Sequence, residues 1–163
     1  MSLGSRSNSQ KRKTFKIAID YTKKSGAIVV VAAGNSNMNA KDYAPANTPG
    51  VITVSAIDTS LNRASFSNYV NDVEMGIAAP GVKIYSTIPG NKYASFNGTS
   101  MAAPHVSGLV GLMKSIKPSL TITEAYGILH STGKDTKDVE KTGRLINPTM
   151  AIQKLIKQKN TIK

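Results

Sequence analysis

An α/β fold with a mainly parallel sheet is what this sequence predicts, and three observations carry that reading. Ile28–Ala33 is an unbroken apolar run of strand length and β-branched character, the pattern of a strand covered on both faces. A strand end, a helix and that strand follow one another near the start, which makes a βαβ unit. Helical patterns then fill the chain from about Ser100 onward.

Taken in order, Met1–Gly4 reads as a strand end and Ser5–Gln10 as a polar connection. Lys11–Lys24 places Phe15, Ala18, Ile19 and Thr22 at helical spacing, and Gly26 ends that helix. After the strand Ile28–Ala33, the segment Gly34–Gly50 is rich in Asn, Ala and Pro and reads as a surface loop. Val51–Ala56 returns as a strand, and Asp72–Ala78 and Val82–Thr87 follow as shorter ones. The turn Pro89-Gly90-Asn91 leads back through Tyr93–Phe96. Helices are expected over Ser100–Ile116, Ile122–Ser131 and Pro148–Lys157. Pro104 lacks the N–H that would bond the Ser100 carbonyl, so the first turn of its helix is expected to be irregular. Leu109, Val110, Met113 and Ile116 continue a buried stripe.

A chain of 163 residues with 40% hydrophobic content suits one globular domain with a sizeable core. Internal repeats and domain-splitting linkers are absent from the sequence. Zero cysteines exclude disulfide and thiolate chemistry. No apolar run approaches the roughly 20 residues that cross a bilayer, so no membrane partner is expected. The formal net charge of +12 would attract phosphates. Its distribution argues against nucleic acid: Lys11-Arg12-Lys13, Lys16, Lys23-Lys24, Lys154, Lys157, Lys159 and Lys163 interleave with helix-periodic apolar residues and not with stacking aromatics. Solvated helix faces are the simpler reading, with loose attraction to acidic polymers left open.

The segment with most chemical content is Asn97-Gly98-Thr99-Ser100-Met101-Ala102-Ala103-Pro104-His105-Val106-Ser107-Gly108. It puts a serine between small residues at the start of an apolar helix. Free backbone N–H groups and the positive helix end there suit a developing negative charge. From the residues alone, Thr99 or Ser100 serves equally well as an ordinary helix cap.

The whole string resembles the nucleophile segment of the subtilisin-like serine proteases, or subtilases, in which Gly-Thr-Ser-Met-Ala-x-Pro-His-Val recurs. Three further segments carry the likeness in the family's order. Ala27-Ile28-Val29-Val30-Val31-Ala32-Ala33-Gly34-Asn35 is similar to its buried strand ending in Ala-Ala-Gly-Asn. Val51–Ala56, Arg63-Ala64-Ser65-Phe66-Ser67 and Ala78-Ala79-Pro80-Gly81 are similar to the strands and loops that follow. Met1-Ser2-Leu3-Gly4 is similar to the end of an Asn-Met-Ser-Leu-Gly strand.

The resemblance implies a three-layer α/β/α fold and a serine endopeptidase mechanism through an acyl-enzyme. Ser100 would be the nucleophile, and Asn35 with the Ser100 N–H would stabilise the oxyanion. Ser2, Leu3 and Gly4 on one strand and Ala32, Ala33 and Gly34 on another would wall the pocket for the substrate's P1 side chain. Its floor would come from Lys41–Gly50, where Ala44-Pro45-Ala46 replaces the family's usual Tyr-Pro-Ala. Tyr43 would narrow that pocket, or Asp42 would point inward and favour a basic P1 residue. A cis Ala44–Pro45 bond is also implied.

The family's triad needs an Asp and a His upstream of the serine, and neither has a counterpart here. The two histidines are His105, inside the nucleophile helix, and His130, near the end of the next. His105 is five residues past Ser100 on another helix face and reads as a packing or hydrogen-bonding residue. His130 reads as a surface residue at a helix end. Residues 1–163 are therefore expected to be the C-terminal half of a subtilisin-like domain, truncated on its N-terminal side and inactive alone, with the missing half as partner and polypeptides as substrates. A non-catalytic peptide-binding fragment or pseudo-protease is the alternative. The unpaired sheet edge predicts aggregation or partner binding. Secretion is implied by the resemblance. Calcium is implied as well, with Asp72 and Glu74 near the corresponding loop, although Gly76 stands where many relatives place a carboxylate. No metal-ligand spacing is found otherwise.

Overall fold

The computed structural model describes residues 1–161, with side chains through 158. In chain order the elements are β1 (Ser5–Arg6), α1 (Ser9–Lys24), β2 (Val30–Ala32), a 3₁₀ turn at Ala40–Asp42, β3 (Tyr43–Ala44), β4 (Ile52–Ile57), β5 (Gly76–Pro80), β6 (Ile84–Ile88), β7 (Lys92–Phe96), α2 (Thr99–Ile116), α3 (Ile122–Thr132), α4 (Val139–Thr142) and α5 (Pro148–Thr161).

A parallel sheet in the order β2-β4-β5 forms the centre. Val30 pairs with Ile52 and Ala32 with Val54; Thr53 pairs with Gly76 and Ile57 with Pro80. Because successive strand side chains point to opposite faces, the apolar run splits between two cores. Val30 and Ala32 join α2, α3 and α5 through Ala102, Val106, Met113, Leu129 and Leu155. Val31 and Ala33 meet Ile19 and Phe15 of α1 on the other side. The result is three layers, α/β/α, which accounts for a central strand without polar positions.

The main chain of Met1 lies beside β2: its amino group donates to the Val30 carbonyl and its carbonyl accepts from Ala32 N at 3.0 Å. Only that first residue of the expected strand end pairs with the sheet. Ser5–Arg6, expected as a polar connection, instead forms an antiparallel pair with Tyr43–Ala44. The loop Gly34–Gly50 is likewise more than surface. It contains the 3₁₀ turn and β3, and buries Ala40, Ala44, Ala46 and Thr48. Its Ala44–Pro45 bond is cis, as the resemblance implies. The strand expected at Asp72–Ala78 begins only at Gly76, since Asp72 and Glu74 keep their carboxylates at the surface. α4 was not foreseen in the sequence. Lys163 and the Lys159 side chain lie outside the described residues.

Two of the long helices, α1 and α3, start on side-chain caps. Asn8 caps α1, accepting from Lys11 N at 2.8 Å, and Gly26 at φ +77° follows its end. α3 carries a capping box in which Thr121 Oγ1 accepts from Glu124 N at 3.2 Å and Glu124 accepts from Thr121 N at 2.9 Å. Glu124 also accepts from Lys117 Nζ at 2.6 Å. The Lys117 ammonium first, and then the Thr121 N–H, hold the Glu124 carboxyl at about 2. A carboxyl depressed in the folded state contributes stability that is complete above its ordinary range near 4.5 and is lost as pH falls toward 2. Glu124→Gln should therefore flatten the stability-against-pH curve between those values. At neutral pH it should cost no more than about 1 kcal/mol, because the pair is solvent-screened. Thermal unfolding of both proteins across that pH range checks the expectation.

Candidate active site

Ser100 stands in the first turn of α2, half-exposed, where the sheet and the helix meet. That turn is irregular in the way Pro104 demands. Gly98 O accepts from both Met101 N (3.0 Å) and Ala102 N (3.3 Å), and the Ser100 carbonyl, deprived of its usual donor, accepts from Ser2 Oγ at 3.1 Å. The hydroxyl of Ser100 in turn donates to Ser2 O at 3.4 Å, a long contact that leaves the oxygen lone pairs free. No base touches it. His105 is exposed and uses Nδ1 on Met101 O at 2.9 Å, and His130 sits against the Tyr126 ring.

Asn35 is placed by a relay that sequence reading missed. Buried Thr99 accepts from Gly34 N at 3.1 Å and donates to Asn35 Oδ1 at 2.8 Å, and Thr99 N donates to the same oxygen at 2.9 Å. With its oxygen claimed twice, the Asn35 carboxamide must present its Nδ2 hydrogens elsewhere. The place an ideal Cβ would take on Gly98 lies 3.3 Å from Asn35 Nδ2, 3.5 Å from Met101 Sδ and 3.6 Å from Ser100 N, so the two donors approach each other beside this glycine.

A second unforeseen residue holds the loop. Fully buried Asn68 donates from Nδ2 to Ala33 O (2.9 Å) and accepts on Oδ1 from Ser36 N (2.9 Å) and Met38 N (3.1 Å), while its own N–H bonds Gly34 O. Gly34, at φ +106°, has no room for a side chain, since a Cβ there would lie 2.4 Å from Asn68 Nδ2. The run Ser-Phe-Ser-Asn-Tyr offers no periodic signal that this Asn is buried; only the folded loop shows it.

Beside Ser100 is a pocket of about 200 Å³. The structure brings Ser2, Leu3, Gly4, Ala32, Ala33, Gly34 and Tyr43 together around it, and Asn35, Thr99 and Ser100 line it as well. Asp42 is not among the lining residues. It ends the 3₁₀ turn with its side chain exposed, where a carboxylate keeps its hydration, so the expectation of an inward-pointing acid does not hold.

The residues near the candidate calcium loop do not suit a cation. Asp72 Oδ2 accepts from Asn39 Nδ2 at 2.7 Å and from Lys41 Nζ at 3.3 Å, so a lysine already answers its charge. Glu74 Oε2 accepts from Gly50 N at 3.1 Å. Gly76 is packed so that a Cβ would meet Val70 at 2.7 Å. Among the described residues no three His, Cys, Asp or Glu side chains cluster.

Comparison with known proteins bears on the family and the fold. The profile described as "Subtilase family" matches residues 1–147. Subtilisin DY of Bacillus licheniformis is 44% identical over 158 residues, which are 94% of this chain and 56% of that protein. Alkaline elastase YaB of Bacillus sp. (strain YaB) is 40% identical over 93% of this chain and 39% of its own length. A solved protease of Pseudoalteromonas arctica PAMC 21717 superposes with a TM-score of 0.87 at 32% identity, covering 95% of this chain and 50% of that one. The chain thus spans about half the length, or less, of these relatives. With the fold, the serine at the helix start and these likenesses in agreement, the chain belongs to the subtilase family of serine proteases.

Proposed function

We propose that this chain is the C-terminal half of a subtilisin-like domain and supplies the nucleophile, the oxyanion hole and part of the P1 pocket of a secreted serine endopeptidase. The observation that carries the reading is the juxtaposition of Ser100 with two unengaged donors, Asn35 Nδ2 and Ser100 N, around the space beside Gly98. Ser100 Oγ attacks a peptide carbonyl, the carbonyl oxygen becomes an oxyanion facing those donors, and collapse expels the amine and leaves an acyl-enzyme that water hydrolyses. The proton taken from Ser100 needs a base that no histidine here provides, so an upstream half must bring the Asp and His. α2 supports such a partner. One side is buried through Ala102, Val106 and Met113, while the other leaves Leu112 exposed and open space at Gly108 and Gly111.

Labelling with a fluorophosphonate probe tests this. The 163-residue chain alone should not label. The chain joined behind the upstream half of Subtilisin DY should label, and Ser100→Ala should abolish it. Labelling of the short chain through Ser100 would mean that a base comes from within it or from a second copy. A non-catalytic peptide binder is the second reading, favoured by the contact of the Ser100 hydroxyl with Ser2 O where a base would be needed; an unlabelled joined protein supports it.

Tyr43 on the pocket wall favours small P1 side chains. Tyr43→Ala in the joined enzyme should raise kcat/KM for Phe over Ala at P1 by about tenfold or more, the worth of a few methylenes in an apolar pocket. Asp42→Ala should leave the profile unchanged.

A further inference from the structure

α1 meets the core through Phe15 and Ile19. At 100° per residue, the opposite side of the helix presents Lys13, Ile17, Tyr21 and Lys24, while Lys16, Lys23 and Arg12 lie on one flank nearer the core side. Ile17 and Tyr21, one turn apart, are 63% and 74% exposed. The helix holds six Lys or Arg against the single acid Asp20, and Asp20 is taken by Lys16 Nζ at 2.7 Å. Arg12, Lys13, Lys23 and Lys24 have no carboxylate partner among the described residues.

The charges at the start of α1 also work against the helix. Its first turn has no acid, and Lys11 and Arg12 stand at the positive end of the macrodipole, where cations are unfavourable. Asn8 offsets part of that. Lys11 Nζ finds partners within the chain, Ser5 Oγ at 2.9 Å and Arg6 O at 3.3 Å, whereas Arg12 has no carboxylate partner among the described residues to offset its position.

We propose that this side of α1 docks on an anionic phospholipid surface, with Ile17 and Tyr21 entering the headgroup layer, Lys13 and Lys24 meeting the phosphates, and Lys23 and Arg12, farther round the helix, adding to the attraction. Exposed apolar side chains bracketed by lysines on one side of a helix are the pattern of helices that lie in a bilayer interface. A soluble polyanion would engage the charges and leave Ile17 and Tyr21 in water. The contact is peripheral, since no described helix is long and apolar enough to cross a membrane. The solvated-face reading of these bases fits Lys16, whose charge Asp20 answers, and not its neighbours. The docking goes beyond the protease reading and does not depend on it.

The test uses the 163-residue chain with vesicles of phosphatidylcholine, alone or mixed equally with phosphatidylglycerol. The chain has no tryptophan, so Tyr21→Trp is a single reporter; its emission should shift to the blue with the anionic vesicles only. In co-sedimentation, Lys13→Ser/Lys23→Ser/Lys24→Ser should weaken binding about 100-fold, whereas Lys92→Ser/Lys134→Ser/Lys137→Ser, which removes equal charge elsewhere, should change it less than about threefold. Ile17→Ser/Tyr21→Ser should weaken vesicle binding about tenfold and leave binding to polyphosphate unchanged. Equal losses in the two lysine triples would assign the attraction to net charge. Unaltered vesicle binding by Ile17→Ser/Tyr21→Ser would assign it to a polyanion site. Either result, or an unshifted Trp reporter, overturns the proposal. All these positions are exposed, and circular dichroism verifies that each variant is folded.

Discussion

Asn35→Leu, in the chain joined behind the upstream half of Subtilisin DY, is expected to lower kcat about 10²–10³-fold with KM little changed, a size carried over from the same kind of donor in a subtilisin and not obtained from this chain. The reasoning for the sign is local. The Asn35 oxygen is held by Thr99 N and Thr99 Oγ1, so its amide nitrogen is the only part free to meet a new charge, and leucine of similar volume offers no donor there. A ground-state carbonyl gains little from that donor, and an oxyanion gains much, which places the loss in kcat. Thr99→Val removes one of the two donors that aim the amide. It should lower kcat about tenfold, the worth of one neutral hydrogen bond in positioning. Thr99 acts through Asn35, so the double variant should be no slower than Asn35→Leu alone. If the effects of the two substitutions multiply, Thr99 has a separate role. Steady-state kinetics on a peptide substrate with the four proteins decides this.

How far the site was legible follows from what kind of signal each residue leaves. Ser100 and Asn35 stand in contiguous strings that resemble those of the subtilases, and that likeness singled them out; from the residues alone Ser100 reads equally as a helix cap. Ile28–Ala33 could be read as a doubly covered strand because burial on both faces removes every polar position. Thr99 and Asn68 could not be read. Their work is done by hydrogen bonds to residues dozens of positions away, and a buried polar side chain looks like a loop residue until its partners are known. The pairing of Ser5–Arg6 with Tyr43–Ala44 escaped for the same reason, since strands of two residues carry no periodicity. The strand expected from Asp72 starts only at Gly76: the carboxylates of Asp72 and Glu74 stay in solvent as turn residues, and pairing begins where Gly76 lets the chain pass Val70. Asp42 was misjudged for want of the backbone direction after the 3₁₀ turn, which aims its side chain to water.

The second large effect is on stability, at Gly81 in the segment Ala78-Ala79-Pro80-Gly81. Its N–H bonds Ile57 O at 3.0 Å and its carbonyl accepts from Gly98 N at 2.8 Å, so one residue ties the end of β4 to the start of α2. A Cβ there would lie 2.5 Å from Ala56 Cβ, 2.8 Å from Gly98 O and 3.3 Å from Ala102 Cβ. None of these is the loose end of a flexible side chain, so the backbone itself must move. Gly81→Ala should therefore destabilise the chain by about 3 kcal/mol, at the upper end of ordinary overpacking, and displace Ser100 in the joined enzyme. Gly108→Ala is its counterpart. That glycine lies on the exposed side of α2 with open space around it, and alanine there should stabilise the 163-residue chain by about 0.5–1 kcal/mol through helix propensity. In the joined enzyme the sign should reverse, if the upstream half packs closely on that side of α2 and needs the missing Cβ. Urea unfolding of both glycine variants in both contexts separates the cases. A stabilising Gly108→Ala in the joined enzyme would mean that the upstream half rests elsewhere on the helix, while Gly81→Ala should be harmful in either setting because its neighbours belong to this chain.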